Sequence, residues 1–125
     1  MPDDAQATAV FDRLAAIFAP YRTSLSAKTD EPGDLSLETP PSTTYPSDLF
    51  FGAVKIGKRY VSFQLMPVYV HPDLLNGMSR ELRKRMQGKS CFNFTRADDA
   101  LFAKLKTLTA AGFARFQDDG TIPVG

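Results

Sequence analysis

Basic residues are concentrated in one stretch of the chain, and they are the side chains whose spacing first suggests a chemistry. At helical spacing Arg80, Arg83 and Lys84 share one face. Such cations contact the phosphates of an anionic polymer such as nucleic acid, or another anionic ligand. The alternative is a solvated surface with local ion pairs. The candidates for an anion-binding patch are Lys55, Lys58, Arg59, Arg80, Arg83, Lys84 and Lys89.

The charge of the chain is divided unevenly along its length. Residues 55–96 contain nine basic and two acidic residues, a net charge of +7, whereas the rest of the chain has a net charge of −6. This division either orients an anionic partner or is neutralised within the fold. The isoelectric point of 7.8 is below that of strongly basic nucleic-acid-binding domains, and no recognition motif is visible. These observations argue against nucleic acid as a partner.

The triplet Gly88-Lys89-Ser90 resembles the end of a phosphate-binding P-loop. That motif needs a glycine five residues before its last glycine, and here that position is Arg83. A P-loop also follows a strand and begins a helix, whereas this triplet is expected to follow a helix and begin a strand. We interpret it as a tight turn in which Gly88 ends the preceding helix.

Classical catalytic and metal-binding groups are scarce. His71 is the only histidine and Cys91 the only cysteine, and we expect the cysteine to be buried between core phenylalanines with a raised pKa. Zinc needs three or four converging ligands. The acidic pairs Asp98-Asp99 and Asp118-Asp119 are adjacent residues, so on a helix they diverge and do not form an acid/base pair. We predict no catalytic residue, no metal and no cofactor, with an unrecognised enzyme site as an alternative.

Two strands joined by a short hairpin provide a second kind of candidate site. Strands are predicted at 49–56 and 59–66, with Gly57-Lys58 as a type II′ turn. Val61, Phe63 and Leu65 form the core face of the second strand, so alternate residues lie on a mixed opposite face. Hydroxyls, amides and aromatic rings are typical of ligand pockets. The groove candidates are Tyr60, Ser62, Gln64 and Tyr69, with an ordinary outer sheet face as the alternative.

The first part of the chain has clear element signals. Apolar residues at spacings of three and four predict a helix over 4–19, which Pro20 ends. Strands are predicted at 24–28 and 35–39 around a Pro32-Gly33 turn. Three prolines in residues 40–48 indicate a loop, because proline cannot donate a ladder hydrogen bond.

The last part contains two more helical segments and a strand. We predict a short turn at 72–76, a helix at 80–87 with Ser79 as N-cap, or one continuous helix across both. A strand at 90–95 and a helix at 97–117 follow, with Thr95 and Asp98 resembling a capping box. Residues 118–125 are expected to form a loose tail. The order predicts an α+β domain: an antiparallel meander sheet of about five strands with N-terminal and C-terminal helices and a short helical segment before the last strand.

Two stretches of the chain carry a family resemblance. The segment LFFGAVKIGKRYVSFQLMPVY at 49–69, then MQGKSCFNF at 86–94 and an acidic-capped helix, resemble the YdhG-like family of domains of unknown function. The resemblance covers roughly residues 49–113. It implies a secretion-chaperone-like α+β fold and a cytoplasmic bacterial protein, and it transfers no catalytic residue.

Length and composition complete the prediction. A chain of 125 residues with 43% hydrophobic residues is expected to form a single domain with its own core. One cysteine excludes an intramolecular disulfide, and neither a signal peptide nor an apolar stretch long enough to span a membrane is visible, so a cytoplasmic location is expected. We predict a non-enzymatic binding or interaction module that uses a sheet-helix groove or a sheet edge. Its expected partner is a small molecule, a protein or a second copy in a homodimer, without a membrane.

Overall fold

The chain folds into helices packed on one face of an antiparallel sheet. The structure is a computed structural model and describes residues 4–41 and 49–122. Its sheet has six strands in the order β1-β2-β3-β4-β6-β5. The strands are β1 (Ser26–Glu31), β2 (Asp34–Thr39), β3 (Leu49–Ile56), β4 (Val61–Leu65), β5 (Met86–Gln87) and β6 (Cys91–Phe94). The α+β class predicted from the sequence is confirmed, with one more strand than expected.

In the part of the chain that the structure describes, four α-helices accompany the sheet. They are α1 (Asp4–Phe18), α2 (Met66–Val70), α3 (Arg80–Arg83) and α4 (Asp99–Asp118), with 3₁₀ turns at Ala19–Tyr21 and Pro72–Leu75. The sequence did not predict α2. The helix predicted over 80–87 is only one turn long, because residues 86–87 pair with β6 as an edge strand.

The core lies between the helices and one face of the sheet. Alternation places Val61, Phe63 and Leu65 of β4 against the helices, and all three are fully buried. Phe18 of α1 stacks on Phe63 with ring centroids 4.8 Å apart. Phe116 of α4 meets Phe51 of β3 edge-to-face at 6.0 Å. The predicted apolar stripe of the first helix is therefore confirmed as core.

Two local predictions differ from the structure, and a third is confirmed. The turn between β3 and β4 is centred on Lys58 and Arg59, closed by a hydrogen bond from Gly57 N to Tyr60 O, and Gly57 lacks the positive φ of a type II′ turn. Asp98 is itself the N-cap of α4, accepting from Leu101 N at 3.1 Å, so no Thr95 capping box forms. Ser79 caps α3 as predicted.

The tail predicted at 118–125 is not loose where the structure describes it. Ile122 is 1% exposed, and its backbone N–H donates to Phe116 O at 3.0 Å. Burial of Thr121 and Ile122, together with this hydrogen bond, holds the segment against the end of α4. Residues 123–125, and 42–48 of the predicted loop at 40–48, lie outside the described residues.

Candidate ligand-binding crevice

A crevice of about 550 Å³ lies beside the turn that joins β5 to β6. Four segments form it: α2, the following 3₁₀ turn, α3 with β5, and the β5–β6 turn. It combines apolar, aromatic and basic side chains. The lining residues are Val68, Tyr69, Pro72, Leu75, Arg83, Met86, Gly88 and Lys89.

The position of α2 determines where Tyr69 lies. Pro67 cannot donate a ladder hydrogen bond, so β4 ends at Leu65 and the chain turns into a short helix. Gly112 of α4 lets this helix approach closely, because a Cβ atom there would lie 2.8 Å from Cβ of Pro67. Val68 is consequently buried and Tyr69 is exposed at the rim of the crevice.

Arg83 is presented to the crevice by the single turn of α3. The hydroxyl of Ser79 accepts a hydrogen bond from Leu82 N at 3.3 Å, which fixes the start of this turn. Leu82 is 1% exposed and anchors the turn in the core. Arg83 follows it in sequence and lines the crevice with an exposed side chain.

The β5–β6 turn supplies the second cation. Gly88 has φ +77°, a conformation that side-chain-bearing residues rarely adopt, and this allows the chain to reverse within three residues. The triplet Gly88-Lys89-Ser90 thus belongs to a strand-to-strand turn, so the prediction that Gly88 ends a helix is wrong. The turn directs Lys89 to the crevice.

Lys89 and Tyr69 lie close together at the mouth. The ammonium nitrogen of Lys89 is 6.0 Å from the centroid of the Tyr69 ring, within the range of a cation–π interaction. Tyr69 is 53% exposed, so much of its ring can still be covered by a ligand. The mouth therefore offers a positive charge and an aromatic surface side by side.

The crevice has a positive electrostatic character. None of its eight lining residues is acidic. Within residues 4–41 and 49–122, the cations in ion pairs are Arg13, Arg22 and Arg115, and His71 also lies against a carboxylate. Arg83 and Lys89 are not among them, so their charges are available to an incoming anion.

The structure brings together only part of the predicted sites. Of the groove candidates, Tyr69 lines the crevice, while Ser62 and Gln64 lie on the opposite face of the sheet and Tyr60 lies at the end of the β3–β4 turn. Ser62 Oγ donates to Asn93 Oδ1 at 3.1 Å. The four candidates do not form one groove. Tyr60, Ser62 and Gln64 alternate along the chain up to the end of β4, whereas Tyr69 lies beyond that strand, on α2.

The basic candidates are also divided. Arg83 and Lys89 line the crevice, and Arg80 and Lys84 are exposed at α3. The other three candidates lie elsewhere. Lys58 and Arg59 are in the β3–β4 turn at the far end of β4, and Lys55 is on the open face of the sheet, the face away from the helices. The β5–β6 turn is next to the end of β4, through a hydrogen bond from Leu65 N to Ser90 O, whereas the β3–β4 turn is at its beginning. The crevice itself was not predicted, because it depends on α2 and β5, which the sequence did not reveal.

His71 pairs with a carboxylate rather than with a thiol. Its Nε2 atom is 2.7 Å from Asp119 Oδ2, and its ring meets Phe116 edge-to-face at 6.1 Å. Partial burial raises the pKa of Asp119, but hydrogen bonds from Thr121 and His71 outweigh it and lower the pKa overall. The sequence placed Asp119 in a loose tail, so this pair was missed.

A second pair of side chains, Asp73 and Arg115, lies close in sequence to His71 and Asp119. Arg115 donates two hydrogen bonds to the carboxylate of Asp73, at 3.1 and 2.7 Å. These bonds lower the pKa of Asp73 and raise that of Arg115. Both pairs join the segment after β4 to the end of α4, and we interpret them as structural.

Cys91 lies on the open face of the sheet and is partly exposed, so the prediction of a cysteine buried between core phenylalanines is wrong. The side chains of β6 that point into the core are those of Phe92 and Phe94. Partial burial raises the pKa of the Cys91 thiol, more than a hydrogen bond with Ser62 lowers it. Its sulfur lies 3.5 Å from Asn93 Oδ1. A thiol with a raised pKa is a poor nucleophile at neutral pH.

The described residues form no metal cluster, and the chain matches no known protein. In the described part of the chain, no three potential metal ligands of the His, Cys, Asp or Glu type converge, and no helix has the length and apolar character needed to cross a membrane. No family model matches the chain, and neither does any curated protein or solved structure. The YdhG-like resemblance therefore stays a prediction, and the crevice has to be interpreted from its own chemistry.

Proposed function

We propose that this chain is a non-enzymatic binding module whose crevice takes a small anionic ligand with an apolar or aromatic body. One observation carries the proposal: Arg83 and Lys89 line the same crevice, and neither is in an ion pair within the described residues. Cations without a protein partner next to an apolar wall favour an anionic partner from outside.

The two cations complement each other as anion contacts. The planar guanidinium of Arg83 can bind a carboxylate or phosphate through two parallel hydrogen bonds, which the ammonium of Lys89 cannot do. Lys89 adds a point charge at the mouth. Carboxylates and phosphates are thus the two ligand groups that fit.

The remaining lining supports an apolar or aromatic ligand body. Val68, Leu75 and Met86 provide apolar surface, and the exposed ring of Tyr69 provides a stacking partner. The volume of about 550 Å³ is within the range of small-molecule sites.

The second candidate function is electrostatic binding of an anionic polymer by all seven basic candidates. It requires these side chains to contact one polymer at the same time. The β3–β4 turn and the β5–β6 turn are separated by the length of β4, about 17 Å. A polymer can span this distance whereas a small ligand in the crevice cannot, so a substitution in the β3–β4 turn distinguishes the two functions.

The proposal also includes a cellular location and a family for this chain. A cytoplasmic location is supported by the single cysteine, which has no disulfide partner in the chain. Membership of the YdhG-like family is supported by the motifs at 49–69 and 86–94.

The experiment is a titration with phenyl phosphate, benzoate and uncharged benzyl alcohol, followed by amide chemical shifts. We expect the anionic probes to shift the crevice residues, and R83E and K89E each to weaken binding about tenfold or more, the loss expected for a charge-assisted hydrogen bond. K58E is the matched control and should have no effect. Absence of shifts in the crevice with either anion contradicts the proposal, and so does an equal loss in K58E, because the anions would then respond to the overall positive charge rather than to the crevice.

A further inference from the structure

The sheet has a second face, and no helix in residues 4–41 and 49–122 packs on it. The buried side chains of β2, β4 and β6 all belong to the helix face, so alternate residues point the other way. The side chains on this open face are mostly small or polar at its centre, where Lys55 of β3 is a charged exception, and charged toward its edges. The small or polar ones at the centre are Ser36, Ala53, Ser62, Gln64, Cys91 and Asn93.

One row of residues crosses the whole open face. Its order follows from the strand register: Glu31, Asp34, Lys55, Ser62 and Asn93 are successive partners from β1 to β6.

Arg85 completes this row at the edge beside β5. Its carbonyl oxygen accepts a hydrogen bond from Asn93 N at 2.8 Å. Its side chain shares the open face with Gln87, which bonds Asn93 at 2.6 Å, because Met86 between them packs against the core. The row therefore begins with two acidic residues and ends with a basic one.

We propose that the open face binds the same face of a second copy of this chain, about a two-fold axis parallel to the strands. With such an axis, the strand order of one sheet runs opposite to that of the other, so β1 of one copy faces β5 of the partner subunit. Glu31 then lies opposite Arg85 of the partner subunit, and Asp34 lies opposite the partner's Asn93. Each contact occurs twice, because a two-fold interface is self-complementary.

The alternative axis, perpendicular to the strands, is disfavoured by charge. When this axis runs along the row, the strand order is kept and Glu31, Asp34 and Lys55 each face their own counterpart on the partner subunit, and like charges across an interface are costly. The distribution of charge along this row thus favours the parallel axis.

The centre of the face permits close approach. Ala53, Ser62 and Ser36 are small, and packed sheets stand about 10 Å apart, which leaves room for one layer of such side chains from each copy. Gln64 adds hydrogen-bonding groups that can pair across the interface, whereas the amide of Asn93 is already bonded to Ser62 and Gln87 of its own chain.

The area of the open face sets the expected strength of association in the dimer. Six strands about 4.8 Å apart and about five residues long cover roughly 500 Å² per copy, so the dimer would bury about 1,000 Å² in total. This is at the lower limit for specific interfaces. The dimer is therefore expected to be weak and to form only at high protein concentration.

The test is sedimentation velocity over a series of protein concentrations at low and high salt. Glu31 and Arg85 are both exposed, and neither lines the crevice, so changing them leaves the proposed ligand site intact. We expect a concentration-dependent dimer that salt weakens. E31R and R85E should each raise its dissociation constant about tenfold, whereas the double variant should recover toward the wild-type value.

Two exposed residues on helices provide matched controls. D12R on α1 and K104E on α4 make the same changes of charge away from the open face, and they should leave the dissociation constant unchanged. Alkylation of Cys91 is a second measurement, since its side chain lies on the open face and should react more slowly as the dimer forms.

Three outcomes overturn the proposal. The first is a monomer at every concentration at low salt. The second is a double variant as weak as either single variant. The third is an equal effect of the controls. None of these bears on the crevice, so they leave the proposed small-ligand function untouched.

Discussion

The imidazole of His71 and the carboxylate of Asp119 form a hydrogen bond of 2.7 Å between residues 48 positions apart. The other carboxylate oxygen of Asp119 accepts from Thr121 N at 2.8 Å. Asp119 therefore joins the end of α4 to the segment that contains α2. Because Tyr69 and Pro72 in that segment line the crevice, this bond helps to fix the crevice wall.

Replacement of Asp119 by asparagine should destabilise the fold in a pH-dependent way. The pKa of this carboxyl is lowered in the folded state, so its contribution is present above the unfolded value of about 3.9 and is lost as the pH falls through the folded pKa. We expect a loss of about 1 kcal/mol at neutral pH. Urea unfolding over a pH series should show the difference between wild type and D119N disappearing in acid. D118N is the control, and a difference that grows in acid contradicts the prediction.

Replacement of Gly52 by alanine should be strongly destabilising. A Cβ atom there would lie 2.6 Å from Cζ of Phe18 and 2.9 Å from the carbonyl oxygen of Gln64, so ring and strand would both have to move. Overpacking of this kind costs about 1–3 kcal/mol.

Urea unfolding can separate this clash from backbone strain. G77A is the control, because a Cβ there meets nothing within 4 Å and only the positive φ opposes it, at about 1–2 kcal/mol. A loss below about 1 kcal/mol in G52A would show that the contact with Phe18 is not tight.

Replacement of Asp98 by alanine should destabilise α4. The carboxylate accepts a hydrogen bond from Leu101 N at 3.1 Å, and a lost N-cap costs about 1 kcal/mol. D98N retains an acceptor and should remain close to the wild type in thermal unfolding. If D98A unfolds at the wild-type temperature, the cap contributes nothing to stability.

The elements with strong periodicity could be predicted from the sequence. The alternation of Val61, Phe63 and Leu65 and the helical spacing of Leu101 and Leu105 both require a single buried face, and these elements were correct in type and nearly correct in extent. Their hydrophobic pattern is local, so it can be recognised without knowledge of what covers it.

The crevice could not be predicted, because it depends on short elements and distant contacts. β5 contains only Met86 and Gln87, and its pairing with β6 leaves no periodic signal within a run of charged residues. The turn into α2 depends on the approach of Gly112 to Pro67. Residues so far apart in sequence meet through tertiary packing, which overrides local propensity.

Replacement of Tyr69 should change the preference of the crevice for aromatic ligands more than its affinity for anions. The ring of Tyr69 is 53% exposed at the mouth, and Lys89 lies 6.0 Å from its centroid. We expect Y69L to weaken phenyl phosphate binding about fivefold, in line with the loss of one aromatic contact, while methyl phosphate binding stays nearly constant. Y69F keeps the ring and should behave as the wild type in the same shift titration. If Y69L weakens both phosphates equally, the aromatic ring does not select the ligand body, and the role of Tyr69 is to hold Lys89 in place.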